Sequence, residues 1–409
     1  MEATARLTRL RVLDAFRHRD FRLLWSGQAV SLIGDGAFLT ALGWRAFTLA
    51  GSGALGVILL CHGVAMLATL LLGGALADRY ERRRLMIASD LVRFAVVGVL
   101  AAVDTTGHLS FTWLLVLATL VGAGDGFFHP AFGGIVPLVV DQPSLPSANS
   151  MIGIARWSGF LTGPGIAASI YGVAGSGTVF AVDAGSFLFS AALVYLARTR
   201  AIEEPAAGGG TLREIREGAR YVARYPWLWV SIALFSFILM FQLAPQQVLM
   251  PKLIKQHFDR GVGSYGLLLS MLGLGNVIGL LVIGQIQPRR RRGLASYLCW
   301  FLNSLCVVGV ALSPWFPLAV FFAALRGFCI GLANTMWEVL LMEMVPERLL
   351  SRVISLDYFG TFGLMPIGLA FWALVANVAP PGTLIAFGAL TGATLTAIVA
   401  TRPWLRKVD

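Results

Sequence analysis

Twelve membrane-spanning α-helices, arranged as two six-helix halves, are the fold this 409-residue sequence predicts. Three observations lead there: unbroken apolar runs of helical length, arginines gathered in alternate loops, and one long polar interval dividing the runs six and six. The chain is 57% hydrophobic and 13% charged, with a mean hydropathy of +0.76; soluble domains carry about a quarter charged residues. A barrel would alternate apolar and polar positions along short strands. These runs are continuous and near the roughly 20 residues that cross a hydrocarbon core as a helix, where every backbone group is satisfied within its own segment.

In chain order the predicted spans are 22–48, 54–76, 84–103, 110–133, 149–172, 177–197, 227–250, 264–286, 294–312, 317–341, 353–378 and 383–401. The first is retained rather than read as a signal peptide, because 23–49 exceeds an h-region and contains Asp35 and Arg45. Turn residues separate neighbouring spans, as in Ala50-Gly51-Ser52-Gly53, Ser313-Pro314-Trp315 and Ala379-Pro380-Pro381-Gly382. The polar interval holds Pro205 and Gly208-Gly209-Gly210 and gives the expected organisation: a first bundle over 1–197, a linker over 198–225 and a second bundle over 226–409. An amphipathic helix is expected late in the linker, with Leu212, Ile215, Ala219 and Val222 on one stripe.

The net charge of +11 is explained by topology rather than by nucleic acid. If twelve spans alternate, one side carries Arg6, Arg9, Arg11, Arg17, Arg19 and Arg22, then the arginines of 79–84, of the linker and of 289–292, then Arg348, Arg352, Arg402, Arg406 and Lys407. The other side carries only Lys252, Lys255 and Arg260. Positive loops stay inside, which predicts both termini in the cytoplasm. Gly284 and Arg289 repeat Gly74 and Arg79 at a separation of 210 residues, as expected for two halves of one repeat. Cys61, Cys299, Cys306 and Cys329 fall inside spans without metal-ligand spacing, so no metal or cofactor is expected.

Ionisable and strongly polar groups inside spans are costly and mark candidate function. Asp35 shares a face of the first span with Gln28; Asp125 shares one of the fourth with His129. The fifth span carries Arg156, the sixth Asp183, the seventh Gln242 and Gln246, and the tenth Arg326, Asn334 and Glu338. A carboxylate withdrawn from water is suited to taking up and releasing a proton, which makes Asp35 and Asp125 the coupling candidates. A structural pair, for instance of either with Arg156 or Arg326, is the alternative. Asp90 and Arg93, three apart, read as a packed pair within their own helix.

The segment Gly74-Ala75-Leu76-Ala77-Asp78-Arg79-Tyr80-Glu81-Arg82-Arg83 resembles the loop between helices 2 and 3 of the major facilitator superfamily, with Glu81 in place of that loop's second glycine. Further likeness lies in Phe21-Arg22-Leu23-Leu24-Trp25, Ser31-Leu32-Ile33-Gly34-Asp35, Gly124-Asp125-Gly126-Phe127-Phe128, Ser147-Ala148-Asn149-Ser150 and Glu217-Gly218-Ala219-Arg220-Tyr221. Within the superfamily these are similar to the enterobactin-exporter and macrolide-efflux type, the drug:proton antiporter-3 family. The resemblance implies a bacterial inner-membrane exporter of amphipathic metabolites such as antibiotics or siderophores, working by proton antiport and rocker-switch alternating access, as a monomer. It implies a central cavity lined by helices 1, 4, 7 and 10, hence by Asp35, Asp125, Gln242, Gln246, Asn334 and Glu338, with Phe38, Phe128, Phe241 and Trp337 as aromatic contacts. It further implies a conformational latch at Gly74, Asp78, Arg79, Arg82 and Arg83. Gly159, Gly163 and Pro164 partly match the helix-5 antiporter signature, where a kink is expected.

Other classes fit less well. His18, His62, His108, His129 and His257 are scattered, and no phosphate-cradling loop is present, so neither an enzyme nor an ATP-driven pump is expected. A lysolipid or lipid transporter, or a small-solute importer of the same fold, is the alternative. The expected partners are an amphipathic small molecule, protons and the lipid bilayer, without nucleic acid.

Overall fold

The computed structural model describes residues 11–199, 211–286 and 292–402. Gly208-Gly209-Gly210 and Arg289, Arg290 and Arg291 lie outside the described residues, as do the side chains of Asp78 and Arg79. The chain is an all-α membrane protein. Its helices are α1 (Arg19–Arg79), α2 (Arg82–Thr105), α3 (Phe111–Val139), α4 (Leu145–Leu196), α5 (Thr211–Arg224), α6 (Pro226–Ile238), α7 (Ala244–Gln256), α8 (Val262–Ile286), α9 (Arg292–Leu312), α10 (Phe316–Met344), α11 (Glu347–Gly363), α12 (Met365–Val375) and α13 (Pro381–Ala400).

Ten stretches among the described residues are long and apolar enough to cross a membrane, and two of these, 56 and 55 residues long, are double length. At 1.5 Å per residue each would run to about 80 Å, far beyond a ~30 Å core. Both are broken by a glycine: Gly51 has φ 81° and ψ 177° within α1, and Gly175 has φ 80° and ψ 172° within α4. That region of backbone space is essentially closed to side chains. The two breaks resolve the ten stretches into the twelve expected crossings.

The chain forms two compact units. One comprises Met1–Leu42 with Cys61–Glu204; the other comprises Gly43–Leu60 with Pro205–Asp409. The segment 43–60, expected in the first bundle, therefore groups with the second unit. Its contacts there are close: the Trp44 and Tyr265 rings stack at 6.0 Å, and a Cβ on Gly56 would meet Ala373 Cβ at 2.5 Å.

The two units repeat one packing device. In the first, a Cβ on Gly122 of α3 would lie 2.2 Å from the His62 carbonyl, and one on Gly126 2.4 Å from that of Met66. In the second, Gly327 and Gly331 of α10 stand 205 residues later, and their Cβ positions would lie 1.9 Å from the Leu272 carbonyl and 2.5 Å from that of Asn276. Small residues four apart let two membrane helices touch backbone to backbone, where packing rather than hydrophobic exclusion holds them. Gly327→Ala is therefore expected to destabilise the second unit by about 2 kcal/mol or more through overpacking. Gly98, with nothing within 4 Å of its Cβ position, is the comparator and should tolerate Ala. Thermal unfolding of the two purified variants checks this; equal melting would remove the tight α8–α10 contact.

The expected amphipathic helix is α5, and it packs on α11. Glu217 accepts from Arg352 at 2.6 Å, Tyr221 Oη donates to the Met344 carbonyl at 3.2 Å, and Gly218 leaves room for Arg352 and Leu356. Outside the first unit's core, His18 meets Asp141 at 3.1 Å. The Ser144 hydroxyl, and then His18, hold the Asp141 carboxyl below the usual carboxylate range.

Candidate functional site

The first unit encloses a cluster of charge. Arg93 of α2 is 2% exposed, its guanidinium between the Phe128 ring at 4.2 Å and the Phe187 ring at 4.3 Å. It donates through Nη2 to Asp90 and through Nη1 to Asp125 Oδ1 at 3.1 Å. His62 Nε2 lies 3.7 Å from the other Asp125 oxygen. Asp35 and Asp183 stand in the electrostatic field of Arg93, together with Asp90 and Asp125. Asp90 and Asp183 are fully buried, and each keeps one carboxylate oxygen, Oδ2, without a hydrogen-bond partner among the described residues.

Glycines make this convergence sterically possible. Gly124 lies against the alkyl stem of Arg93, and a Cβ there would sit 2.7 Å from Cγ. Gly34, beside Asp35, faces the Asp183 carboxylate, 2.4 Å from where its own Cβ would be. The motif Gly124-Asp125-Gly126 thus carries a charge between two close approaches, one to the Arg93 stem and one to α1.

The ion-pair partner of Asp125 is Arg93, not Arg156 or Arg326. Arg156 is exposed, and Arg326 is half-buried with its Nε unpartnered among the described residues. Sequence reading kept Arg93 within a local pair with Asp90; spacing shows partners on the same helix, and Asp125 comes from another. His129 is exposed and set edge-on to Phe128 at 6.3 Å. Gln28 is buried with an unpartnered Oε1.

In the second unit Gln242 and Gln246 are buried in the helix packing. Gln242 accepts from Ser304 Oγ at 2.8 Å, and Gln246 Nε2 donates to the Gln242 carbonyl at 2.5 Å, beside a π-helical turn at Leu239–Leu243. Asn334, Trp337 and Glu338 of α10 instead line a cavity of about 420 Å³. Phe235, Trp300, Tyr358 and Phe362 form its aromatic walls, and Asp357 and Thr361 supply further polar groups. Sequence reading missed Asp357, which is 9% exposed and accepts from Trp337 Nε1 at 3.2 Å.

Of the other aromatic candidates, Phe38 packs on Phe180 at 5.6 Å, Phe128 stacks on Phe132 at 5.8 Å as well as under Arg93, and Phe241 meets Phe371 and Trp372 at 6.5 Å. Gly159 and Gly163 bring α4 against Leu32 and Gly36 of α1. Pro164 lies inside α4, and the non-helical φ/ψ of Gly175 fall further on, between the fifth and sixth spans. In the basic loop, whose Gly74 has open space at its Cβ position, Arg82 Nη1 donates to the Gly134 carbonyl at 2.5 Å. Arg83 donates to the Val194 carbonyl at 3.2 Å and to that of Tyr195. The cations thereby satisfy carbonyls at or near helix C-termini, where the dipole favours them.

The described residues form a helical membrane protein whose two units repeat one packing device, with a cluster of buried charge in the first. A family model described as Major Facilitator Superfamily matches residues 24–368, and the chain belongs to that superfamily. Macrolide efflux protein A of Streptococcus pyogenes is 24% identical over 364 residues, covering 87% of this chain and 89% of that one. An enterobactin exporter of Escherichia coli is 26% identical over 357 residues, covering 83% and 81%. Among solved structures, a bacterial homologue of the iron transporter ferroportin in an inward-facing state superposes with a TM-score of 0.73 at 15% identity, over 94% of this chain and 99% of that one.

Proposed function

We propose that the protein exports amphipathic small molecules from a bacterial cytoplasm in exchange for protons, by rocker-switch alternating access across the inner membrane with both termini inside. The buried cluster of the first unit carries this reading. Four carboxylates, Asp35, Asp90, Asp125 and Asp183, gather around one guanidinium, Arg93. In a low-dielectric interior so much uncompensated negative charge is costly, and bound protons relieve it. Such a group responds to the proton gradient in the way an antiporter requires. The direction of transport and the amphipathic cargo are supported by the macrolide and enterobactin exporters among the relatives. The basic loop, with Asp78 and Arg79 in it, acts in this reading as the latch between conformations.

Inside-out vesicles loaded with acid and a pH-sensitive dye test the proposal. Addition of a transported macrolide or siderophore is expected to release protons from the vesicles. Silence of folded, reconstituted protein across both compound classes would overturn it.

A further inference from the structure

The linker helix α5 lies where apolar crossings begin and end. Its Gly218 is buried against Arg352 and Leu356, in the first turns of the crossing Arg352–Val375. Its Tyr221 donates to the carbonyl of Met344, the last residue of the crossing Phe316–Met344. Only Tyr225 separates Arg224, which closes α5, from Pro226, which opens the crossing Pro226–Gln256. Three crossings thus hold α5 at the margin of the hydrocarbon core, the level of lipid headgroups, rather than out in water.

With one face held against α11, the opposite face is basic. Arg216, Arg220 and Arg224 stand four apart and are all exposed. At about 100° per residue they fall within an arc of about 80°, whose midpoint is about 160° from Gly218 in the packed face. Among the described residues none of the three meets a carboxylate, and the nearby Glu217 is taken by Arg352 at 2.6 Å. Like charges four apart weaken a helix, so the stripe calls for an anion from outside the chain. Beside it, Tyr225 is 36% exposed and Trp229, in the first turn of α6, is 49% exposed. Tyrosine and tryptophan settle at the boundary between bilayer and water.

We propose that α5 is a docking surface for an anionic phospholipid leaflet, with Arg216, Arg220 and Arg224 on the headgroup phosphates and Tyr225 and Trp229 at the same level. Charge complementarity and depth together select that occupant. Guanidinium groups bind phosphate oxygens two at a time. Each basic residue near such a surface is worth roughly fivefold in affinity, an attraction that salt screens. The surface lies apart from the buried charge cluster and is independent of the exporter reading.

The full chain is placed in nanodiscs of phosphatidylcholine alone, or of phosphatidylcholine mixed with phosphatidylglycerol, and amide hydrogen exchange is followed along α5. Phosphatidylglycerol is expected to slow exchange in α5 by roughly fivefold or more at low salt, with α13 unchanged as an internal comparator. The slowing should shrink at high salt. Replacing the stripe, as Arg216→Gln with Arg220→Gln and Arg224→Gln, should abolish it, since glutamine keeps the helix propensity and removes the charge. Arg352→Gln loosens the hold on α11 and should speed exchange in both lipids while keeping the difference between them, which separates docking on lipid from packing on protein. If the triple variant does not elute as a folded monodisperse species, Arg216→Gln with Arg224→Gln serves in its place and should reduce the slowing severalfold. The proposal is overturned if exchange in wild-type α5 agrees within about twofold between the two lipids, or if the stripe variants keep the full difference. It is equally overturned if inorganic phosphate added to phosphatidylcholine nanodiscs slows α5 as much as the anionic lipid does, because the stripe would then bind free anions rather than a leaflet.

Discussion

Arg93→Met should lower the stability of the first unit by about 3–5 kcal/mol, the usual result of removing one partner from a buried ion pair. The guanidinium is held between two aromatic rings and bonded to two carboxylates, one of them, Asp90, fully buried. Methionine fills much of the same volume and keeps contact with both rings, so the loss is one of charge rather than shape. What remains is Asp90 beside Asp125, Asp35 and Asp183 with no cation to offset them. For a unit of this size the melting temperature should fall by roughly 10 °C. Adding Asp90→Asn to Arg93→Met should recover part of that loss, because it removes the charge left most deeply stranded. Thermal unfolding of wild type, single and double variants decides the matter. A single variant that melts with wild type would show that the cluster does not hold α2, α3 and α4 together. Recovery in the double variant would show that electrostatic imbalance, not a cavity, is the cause.

The parts of this fold legible in the sequence are those set by local chemistry. Apolar runs gave the crossings because lipid requires each helix to satisfy its own backbone. Gly51 marked a turn because its neighbours Ser52 and Gly53 read as turn residues. The π-helical turn at Leu239–Leu243 was illegible, since Leu-Met-Phe-Gln-Leu is as suited to an α-helix. The same division holds for the site. Asp90 and Arg93 were visible as a pair because they stand three apart on one helix, whereas Asp125 joins them from 32 residues away. The sixth-span Asp183 was noticed as an isolated charge, but its place beside Gly34 is a tertiary fact. Asp357 escaped notice because it stands near the arginine-flanked start of its span. Its partner, Trp337, comes from another helix. Asn334, Trp337 and Glu338 were picked out as polar or aromatic members of a predicted span, and they line one cavity; Gln242 and Gln246, chosen on the same ground, bond to Ser304 and to the helix backbone instead. Composition of a span gives its candidates, and rotation about its axis decides among them.

Asp35→Asn is expected to abolish substrate-evoked proton movement while leaving both stability and substrate exchange close to wild type. Asp35 is half-buried and makes no hydrogen bond or ion pair among the described residues, yet it lies in the field of Arg93, Asp125 and Asp90. It can gain or lose a proton without breaking a contact that holds helices together, and the change is felt by the whole cluster. Asp125 differs: its carboxylate binds Arg93 at 3.1 Å, so neutralising it loosens the guanidinium. Asp125→Asn should therefore reduce coupling and melting temperature together. Two readouts separate these cases, namely proton release from acid-loaded vesicles and counterflow of labelled substrate at equal pH on both sides. Counterflow that survives Asp35→Asn while proton release is lost identifies Asp35 as the coupling group. The opposite pattern, with Asp125→Asn alone uncoupling a protein of unchanged stability, transfers that role to Asp125. Full proton release in both variants would mean that neither carboxylate carries the exchanged proton, leaving Asp90 and Asp183, the two that are fully buried, as the groups to neutralise next.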